Sequence, residues 1–260
     1  MSPFPHVPLD KLARRSIART LRQPVLVVPN FVFPLFMLAV VSAGAGDQAT
    51  KVEGFPTDNY TTFLLGATLI QGASGTMTMA GNALGTDIAT GFLNRLSLTP
   101  ISAWALIVAQ LAGVAVLGVA QSAIYVLVAL AAGASIETGL LGAVALIAVV
   151  LLIIAAFGSI GLLAAVRTGA PERVQGLVAV ALGLLFLSSM VMPRDLITED
   201  WFRTFATYNP MSYLVEAPRS LLVSGWDGEA LALGCGIAGG IAVLALAAAS
   251  ASLKQRLSRT

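Results

Sequence analysis

The sequence predicts an all-α membrane protein, and three observations carry that reading. Of the 260 residues, 57% are hydrophobic and 11% charged, with a mean hydropathy of +0.87; a soluble domain carries about 25% charged residues. Long uncharged intervals run from Asn59 to Thr86 and from Leu96 to Ile136. Lysine and arginine gather on alternate connections between such intervals. The same composition limits the chemistry. Cys235 is the single cysteine and His6 the single histidine, so no disulfide framework or thiolate metal site can be built. A net charge of +2 gives no footprint for nucleic acid.

Taken in order, the chain opens with Leu9 to Gln23. Leu9, Leu12, Ala13, Ile17 and Leu21 recur near helical period, and Lys11, Arg14, Arg15, Arg19 and Arg22 fill the other faces. The spacing favours an amphipathic helix over residues 1–24, lying on an anionic leaflet, over a basic tail. Ala43-Gly44-Ala45 has the form of a signal-peptide cleavage site, but the apolar run before it is long and further spans follow.

Crossing a core of about 30 Å takes about 20 residues, and a charge at its centre costs about 2.5–3.5 kcal/mol, so the charges mark the boundaries. Six spans are expected between residues 25 and 253: Val25–Ala43, Thr61–Ala83, Ala103–Ala132, Gly139–Val166, Val174–Met192 and Ala230–Ala251. The third and fourth exceed a minimal span and should tilt or project. The amino terminus carries five basic residues, Arg95 follows the second span, Arg167 and Arg173 follow the fourth, and a basic tail over 254–260 holds Lys254, Arg256 and Arg259. The loop after the first span holds one lysine and the loop after the third none. Both termini are therefore expected in the cytoplasm. Asn59-Tyr60-Thr61 is a glycosylation sequon on the outer side, to which no function is attached.

Two stretches break the apolar rhythm. Asn82 to Pro100 is a charged island. Read as a helix over 84–98, it places Asp87, Gly91 and Arg95 at i, i+4 and i+8, beside a stripe of Ile88, Phe92 and Leu96. Thr99-Pro100 blocks continuation. The second stretch, 195–224, is too polar to span and too apolar for a plain loop. Ile197, Trp201, Phe202, Phe205 and Tyr208 form an aromatic stripe, Asn209-Pro210 punctuates, and Met211 to Val223 is apolar around Glu216 and Arg219. Two short helices that dip into the outer leaflet and return account for this pattern; an amphipathic lid outside the membrane is the alternative. Glu216 and Arg219, at i and i+3, are spaced to neutralise each other.

Several motifs fail on chemistry. Gly72-Ala73-Ser74-Gly75 has the GxSG form of rhomboid proteases, whose serine needs a histidine on another span, and none of the spans holds one. Small-residue helix packing explains it better. No lysine follows a glycine-rich loop, so no phosphate-binding loop is present. No carboxylate or lysine lies inside the six spans, so ion coupling has no visible apparatus.

Taken together, these elements resemble the ABC-2 type permeases, and within them the daunorubicin-resistance exporters and related lipid or polysaccharide export permeases. Two motifs carry the likeness: Asp87-x3-Gly91-x3-Arg95-x4-Pro100, and Asn209-Pro210-Met211-Ser212-Tyr213-Leu214-Val215-Glu216-Ala217-x-Arg219. Members often carry a Glu or Arg before the first glycine, where Ala89 and Thr90 stand here. The resemblance implies a six-span ABC-2 (type V exporter-like) fold with an N-terminal interfacial helix, a coupling helix and a re-entrant pair before the last span. It also implies a permease without ATPase activity in the plasma membrane, paired with an identical or sister permease chain and docked on separate ATP-binding-cassette ATPase subunits. ATP and Mg would sit on those partners, and this chain would need no cofactor.

By the same resemblance, Asp87, Gly91, Phe92, Arg95, Leu98 and Pro100 would couple to the ATPase. Asn209, Pro210, Tyr213, Glu216 and Arg219 would form the re-entrant motif. Candidates for a substrate cleft between two permeases are Asn30, Phe33, Met37, Gln71, Met77, Phe186 and Met190. Their soft and aromatic character suits a small amphipathic drug or lipid. A polysaccharide or glycolipid exporter of the same family, or a membrane assembly subunit that moves nothing, are the alternatives.

Overall fold

The computed structural model describes residues 24–90, 103–169 and 171–257. The expected N-terminal helix over 1–24, and Gly91, Phe92, Arg95, Leu98 and Pro100 of the coupling segment, lie outside the described residues. Among the described residues the protein is helical with no strand. Six helices form the body: α1 (Pro24–Ala49), α2 (Tyr60–Ala89), α3 (Ala103–Ala131), α4 (Gly139–Thr168), α5 (Pro171–Phe186) and, last in the chain, α8 (Gly228–Leu257). Two short helices, α6 (Asp200–Tyr208) and α7 (Pro210–Arg219), stand between α5 and α8.

The bundle is organised around α2, which packs against α1, α3, α4, α5 and α7. Nearly every residue of α2 is buried, which explains its composition. Glycines at 66, 72, 75 and 81 admit Arg219, Tyr125, Asn30 and Val174 from four different elements. Hydroxyls of Thr68, Ser74, Thr76 and Thr86 donate back to carbonyls of their own helix, leaving few polar atoms to satisfy. The helix starts on Asn59, whose side chain accepts from the Thr62 amide at 3.1 Å. A second major contact runs between α4 and α8.

The termini of these helices sort into two ends. At one, Asn59 Nδ2 donates to the Gly133 carbonyl, the Ser135 amide to Thr62 Oγ1, and Thr138 Oγ1 to the Leu221 carbonyl. At the other, Arg256 in the last turn of α8 donates to the Val166 carbonyl, one of the last acceptors of α4.

Among the described residues, four helices are long and apolar enough to cross a membrane: α1, α3, α4 and α8. The expected second and fifth spans stand apart. Helix α2 is 30 residues long but too polar along its length, because its polar and small residues face protein. The expected fifth span, Val174–Met192, is shortened: α5 ends at Phe186 and the chain turns through Leu187–Ser189. The expected break at Ala83 is also corrected. Helix α2 continues unbroken to Ala89, so residues 84–89 extend the helix that was expected to end at Ala83. The first and last helices run past their expected ends, to Ala49 and Leu257.

Candidate functional site

The two short helices expected around Asn209-Pro210 are present, and the motif ties them to the end of α5. Asn209 is buried. Its Oδ1 accepts from the Met211 amide at 3.0 Å, capping α7, and Pro210 follows in the first turn, where no donor is lost. Its Nδ2 donates to the carbonyls of Leu184 and Leu187, at 2.6 and 3.0 Å. One side chain thus begins α7 and completes the orphan acceptors at the end of α5. Ser212 Oγ donates to the Ala206 carbonyl and Tyr213 Oη to the Thr207 carbonyl, fixing α7 against α6.

The expected pairing of Glu216 with Arg219 is corrected. Glu216 Oε2 accepts from Arg194 Nη2 at 2.6 Å, and its Oε1 accepts from Ser189 Oγ at 2.8 Å. Arg194 also lies over the Tyr213 ring, 4.7 Å from its centroid. Arg219 turns the other way, into the bundle. Its Nε donates to the Phe63 carbonyl at 3.1 Å, Nη1 to that of Ser189 at 2.7 Å, and Nη2 to that of Met190 at 2.8 Å. Its guanidinium lies 3.7 Å from the centroid of the Phe63 ring. The turn that ends α5 early decides this arrangement, since it presents free carbonyls to the arginine fork. A double-mutant cycle on Glu216→Gln and Arg194→Gln is expected to give a coupling of about 0.5–3 kcal/mol in thermal stability. The cycle with Arg219→Gln should give less; equal couplings would contradict this assignment.

The cleft candidates divide. Met37, Gln71 and Met190 come together with Leu38, Val41, Leu64, Ala67 and Thr68 around a crevice of about 20 Å³ between α1, α2 and the turn after α5. Gln71 is buried, and its Nε2 meets no protein acceptor. Phe33 and Phe186 are about half exposed and lie outside the crevice lining. Met77 is in the core of α2, its carbonyl against Gly161 of α4, and Asn30 packs on Gly75. Neither Met77 nor Asn30 reaches the crevice.

Asn30 has a different role, in its backbone. Pro34 stands four residues later and has no amide to offer the Asn30 carbonyl. Gln121 Nε2 and Tyr125 Oη of α3 donate to that oxygen instead, at 2.7 and 2.8 Å, and Gln121 Nε2 also donates to Tyr125 Oη. Sequence reasoning passed over both residues, although the proline–carbonyl spacing was the available signal. Gln121→Leu with Tyr125→Phe is expected to cost about 1–3 kcal/mol, the range for an orphaned buried acceptor. In a Pro34→Ala background, which supplies the missing amide, the cost should shrink. Melting curves of the four proteins decide it, and an undiminished cost would remove the clamp.

At the opposite end, Asp87 in the last turn of α2 is buried and accepts from Gln110 Nε2 of α3 at 2.9 Å. Its carboxylate therefore joins the second and third helices. Ile88 packs on the small core at this end, formed by Leu84, Leu106, Ile107, Val166 and Leu253 among others.

The family model of the ABC-2 type transporters matches residues 10–223. The chain belongs to that family. A search of curated proteins finds no match to it. The matched region takes in α1 through α7, including the Asn209 knot and the Asp87 end. An ABC-2 protein is the membrane component of an ATP-binding-cassette transporter, and its ATPase is a partner subunit. In this member the continuous α2 links the two ends, from the carbonyl of Phe63, which holds Arg219, to the carboxylate of Asp87.

Proposed function

We propose that this chain is the export permease of an ATP-binding-cassette transporter and moves a small amphipathic molecule, drug or lipid, outward across the plasma membrane by alternating access. The family match over residues 10–223 carries the reading. Two permease chains, identical or sister, sit on two ATPase subunits that hold ATP and Mg, and both termini face the cytoplasm. Six helices cross: α2 does so with its polar atoms turned into the bundle, and α5 with the turn after it supported by the Asn209 knot. The outer pair α6–α7 is re-entrant, with Trp201, Phe205 and Tyr208 exposed toward the headgroup region.

Residues 84–98 receive the ATPase's movement, with Gly91, Phe92, Arg95, Leu98 and Pro100 as its contacts and Asp87 as the buried anchor that passes it to α2 and α3. The push travels as a rigid body because α2 is one helix of about 45 Å at 1.5 Å per residue. Substrate lies against α1, α2 and the turn after α5, where Met37, Gln71 and Met190 converge.

The test is coupling. Arg95→Glu in proteoliposomes that also contain the ATPase is expected to leave the permease folded and in the membrane. It should weaken ATPase association, with about 2–5 kcal/mol lost for a truncated partner in a buried pair. Undiminished association together with normal substrate-stimulated hydrolysis would take this segment out of the mechanism. Normal hydrolysis with no movement of any amphipath would favour an assembly subunit.

A further inference from the structure

Resting on the membrane placement proposed above, we infer that the cleft between α7 and the start of α8 binds the headgroup of an outer-leaflet lipid, a zwitterion with a phosphate and a primary ammonium. The two helices touch at Gly234, where an added Cβ would lie 2.5 Å from that of Ala217 and 2.6 Å from the Tyr213 carbonyl oxygen. On the outer side of this contact α7 runs on into a π turn over Ser220–Ser224, and Gly225, at φ 93°, turns the chain toward α8. π turns recur at functional sites. Between the two elements lies a cavity of about 300 Å³, the size of a small ligand site.

Its walls differ in charge. On the α7 side stand Arg194, Arg219 and Glu216, two cations and one anion. Arg219 is engaged by its three carbonyls, and Glu216 by Arg194 and Ser189. Arg194 gives one Nη to that carboxylate and its side chain stays 27% exposed, so donors of its fork remain for a phosphate. On the α8 side stand Asp227 and Glu229, both exposed and in no ion pair among the described residues. Asp227 Oδ1 accepts from the amides of Glu229 and Ala230, which caps α8 and fixes this carboxylate at the cleft. A ligand that bridges the walls carries an anion at one end and a cation at the other. A primary ammonium fits that cation best, because carboxylates accept from N–H. The Tyr213 ring, which could receive a quaternary ammonium, already lies under Arg194.

A lipid, rather than a free solute, suits the surface beside the cavity. Leu233 lines the cavity and is exposed. Along the same face of α8, an added Cβ at Gly236 or Gly240 would have nothing within 4 Å, and exposed Leu244 follows about 16 Å from Leu233 at 1.5 Å per residue. An acyl chain fits that shallow furrow, and the exposed Trp226 is suited to headgroup level.

The full chain in detergent is titrated with four probes, and binding is read by native mass spectrometry. They are dioctanoyl phosphatidylethanolamine, dioctanoyl phosphatidylcholine, a dioctanoyl aminopropanediol that has the ammonium but no phosphate, and soluble phosphoethanolamine. Wild type is expected to bind the ethanolamine lipid about tenfold tighter than each of the others. Asp227→Asn with Glu229→Gln should erase its preference over the choline lipid; asparagine caps a helix as well as aspartate, so the fold is retained. Equal binding of the ethanolamine and choline lipids, a preference that survives the double variant, or equal binding of the phosphate-free amine would each overturn the site. Phosphoethanolamine held as tightly as the lipid would overturn the lipid as its source. Labelling of Ser224→Cys, in a Cys235→Ser chain, with an impermeant maleimide checks the placement separately and is expected from outside. Labelling from the cytoplasmic side alone would overturn the outer leaflet and leave the binding result standing.

Discussion

Replacing Arg219 with methionine is expected to lower stability by about 2–5 kcal/mol, a large loss for one side chain. Methionine preserves bulk and apolar contact, so the difference isolates the guanidinium. That group donates to three carbonyls at 2.7 to 3.1 Å and stacks on Phe63. The Ser189 and Met190 carbonyls lie in the turn beyond α5, where no helical amide replaces the lost donor. Each buried acceptor left unpaired costs about 1–3 kcal/mol. The same change also unties three elements at once, because the arginine sits at the end of α7 and reaches both α2 and the turn. Lysine keeps the charge but cannot span three acceptors in one plane, so Arg219→Lys should recover less than half of the loss. Differential scanning fluorimetry in detergent and in nanodiscs reads both variants. A melting temperature for Arg219→Met within about 2 °C of wild type, equivalent to about 1 kcal/mol at this size, would show that the turn does not depend on the fork.

Much of this architecture was legible because charges cannot be hidden in lipid. Glu137 precedes α4 and Arg167 falls in its last turn, and Arg95 and Glu137 bracket α3, so those helices fall where the uncharged intervals lie. Asn209-Pro210 was legible for a local reason: a capping side chain followed by a residue that needs no donor starts a helix in any context. Partnerships across the bundle were not. The partner of Glu216 is 22 residues upstream, and it comes within reach only because α5 stops at Phe186, inside an apolar run that reads as continuous to Met192. Spacing within one helix favours Arg219, but the unpaired carbonyls of the turn compete for that guanidinium and win. The burial of α2 was written in its glycines and hydroxyls, a composition that costs apolarity and admits neighbours. Its continuation to Ala89 was masked by Asp87, which reads as a boundary until Gln110 is seen to pair with it.

Close packing of α2 on α4 gives the second large effect, and it separates glycines that look alike in sequence. A Cβ built on Gly161 would lie 2.1 Å from the Met77 carbonyl oxygen and 2.8 Å from its carbonyl carbon. Both are backbone atoms of the most buried helix, so neither can swing away and the two helices must separate. Gly161→Ala is therefore expected to cost about 1–3 kcal/mol or more, the range for overpacking a tight interface. Gly158, one turn earlier, meets only the Cδ1 of Leu111 at 2.8 Å, the end of a side chain with other rotamers, so alanine there should cost less. Gly239 on α8 has nothing within 4 Å. Alanine at 239 should be neutral or stabilise by up to about 1 kcal/mol through helix propensity. The order of melting temperatures is thus expected to be Gly239→Ala, then Gly158→Ala, then Gly161→Ala. The lowest of these should also lose coupled transport before it loses expression, since a wedge at residue 161 displaces the segment of α2 between the outer knot and Asp87. If all three alanines melt together, the α2–α4 contact is looser than these distances state, and α2 does not pass force as a rigid element.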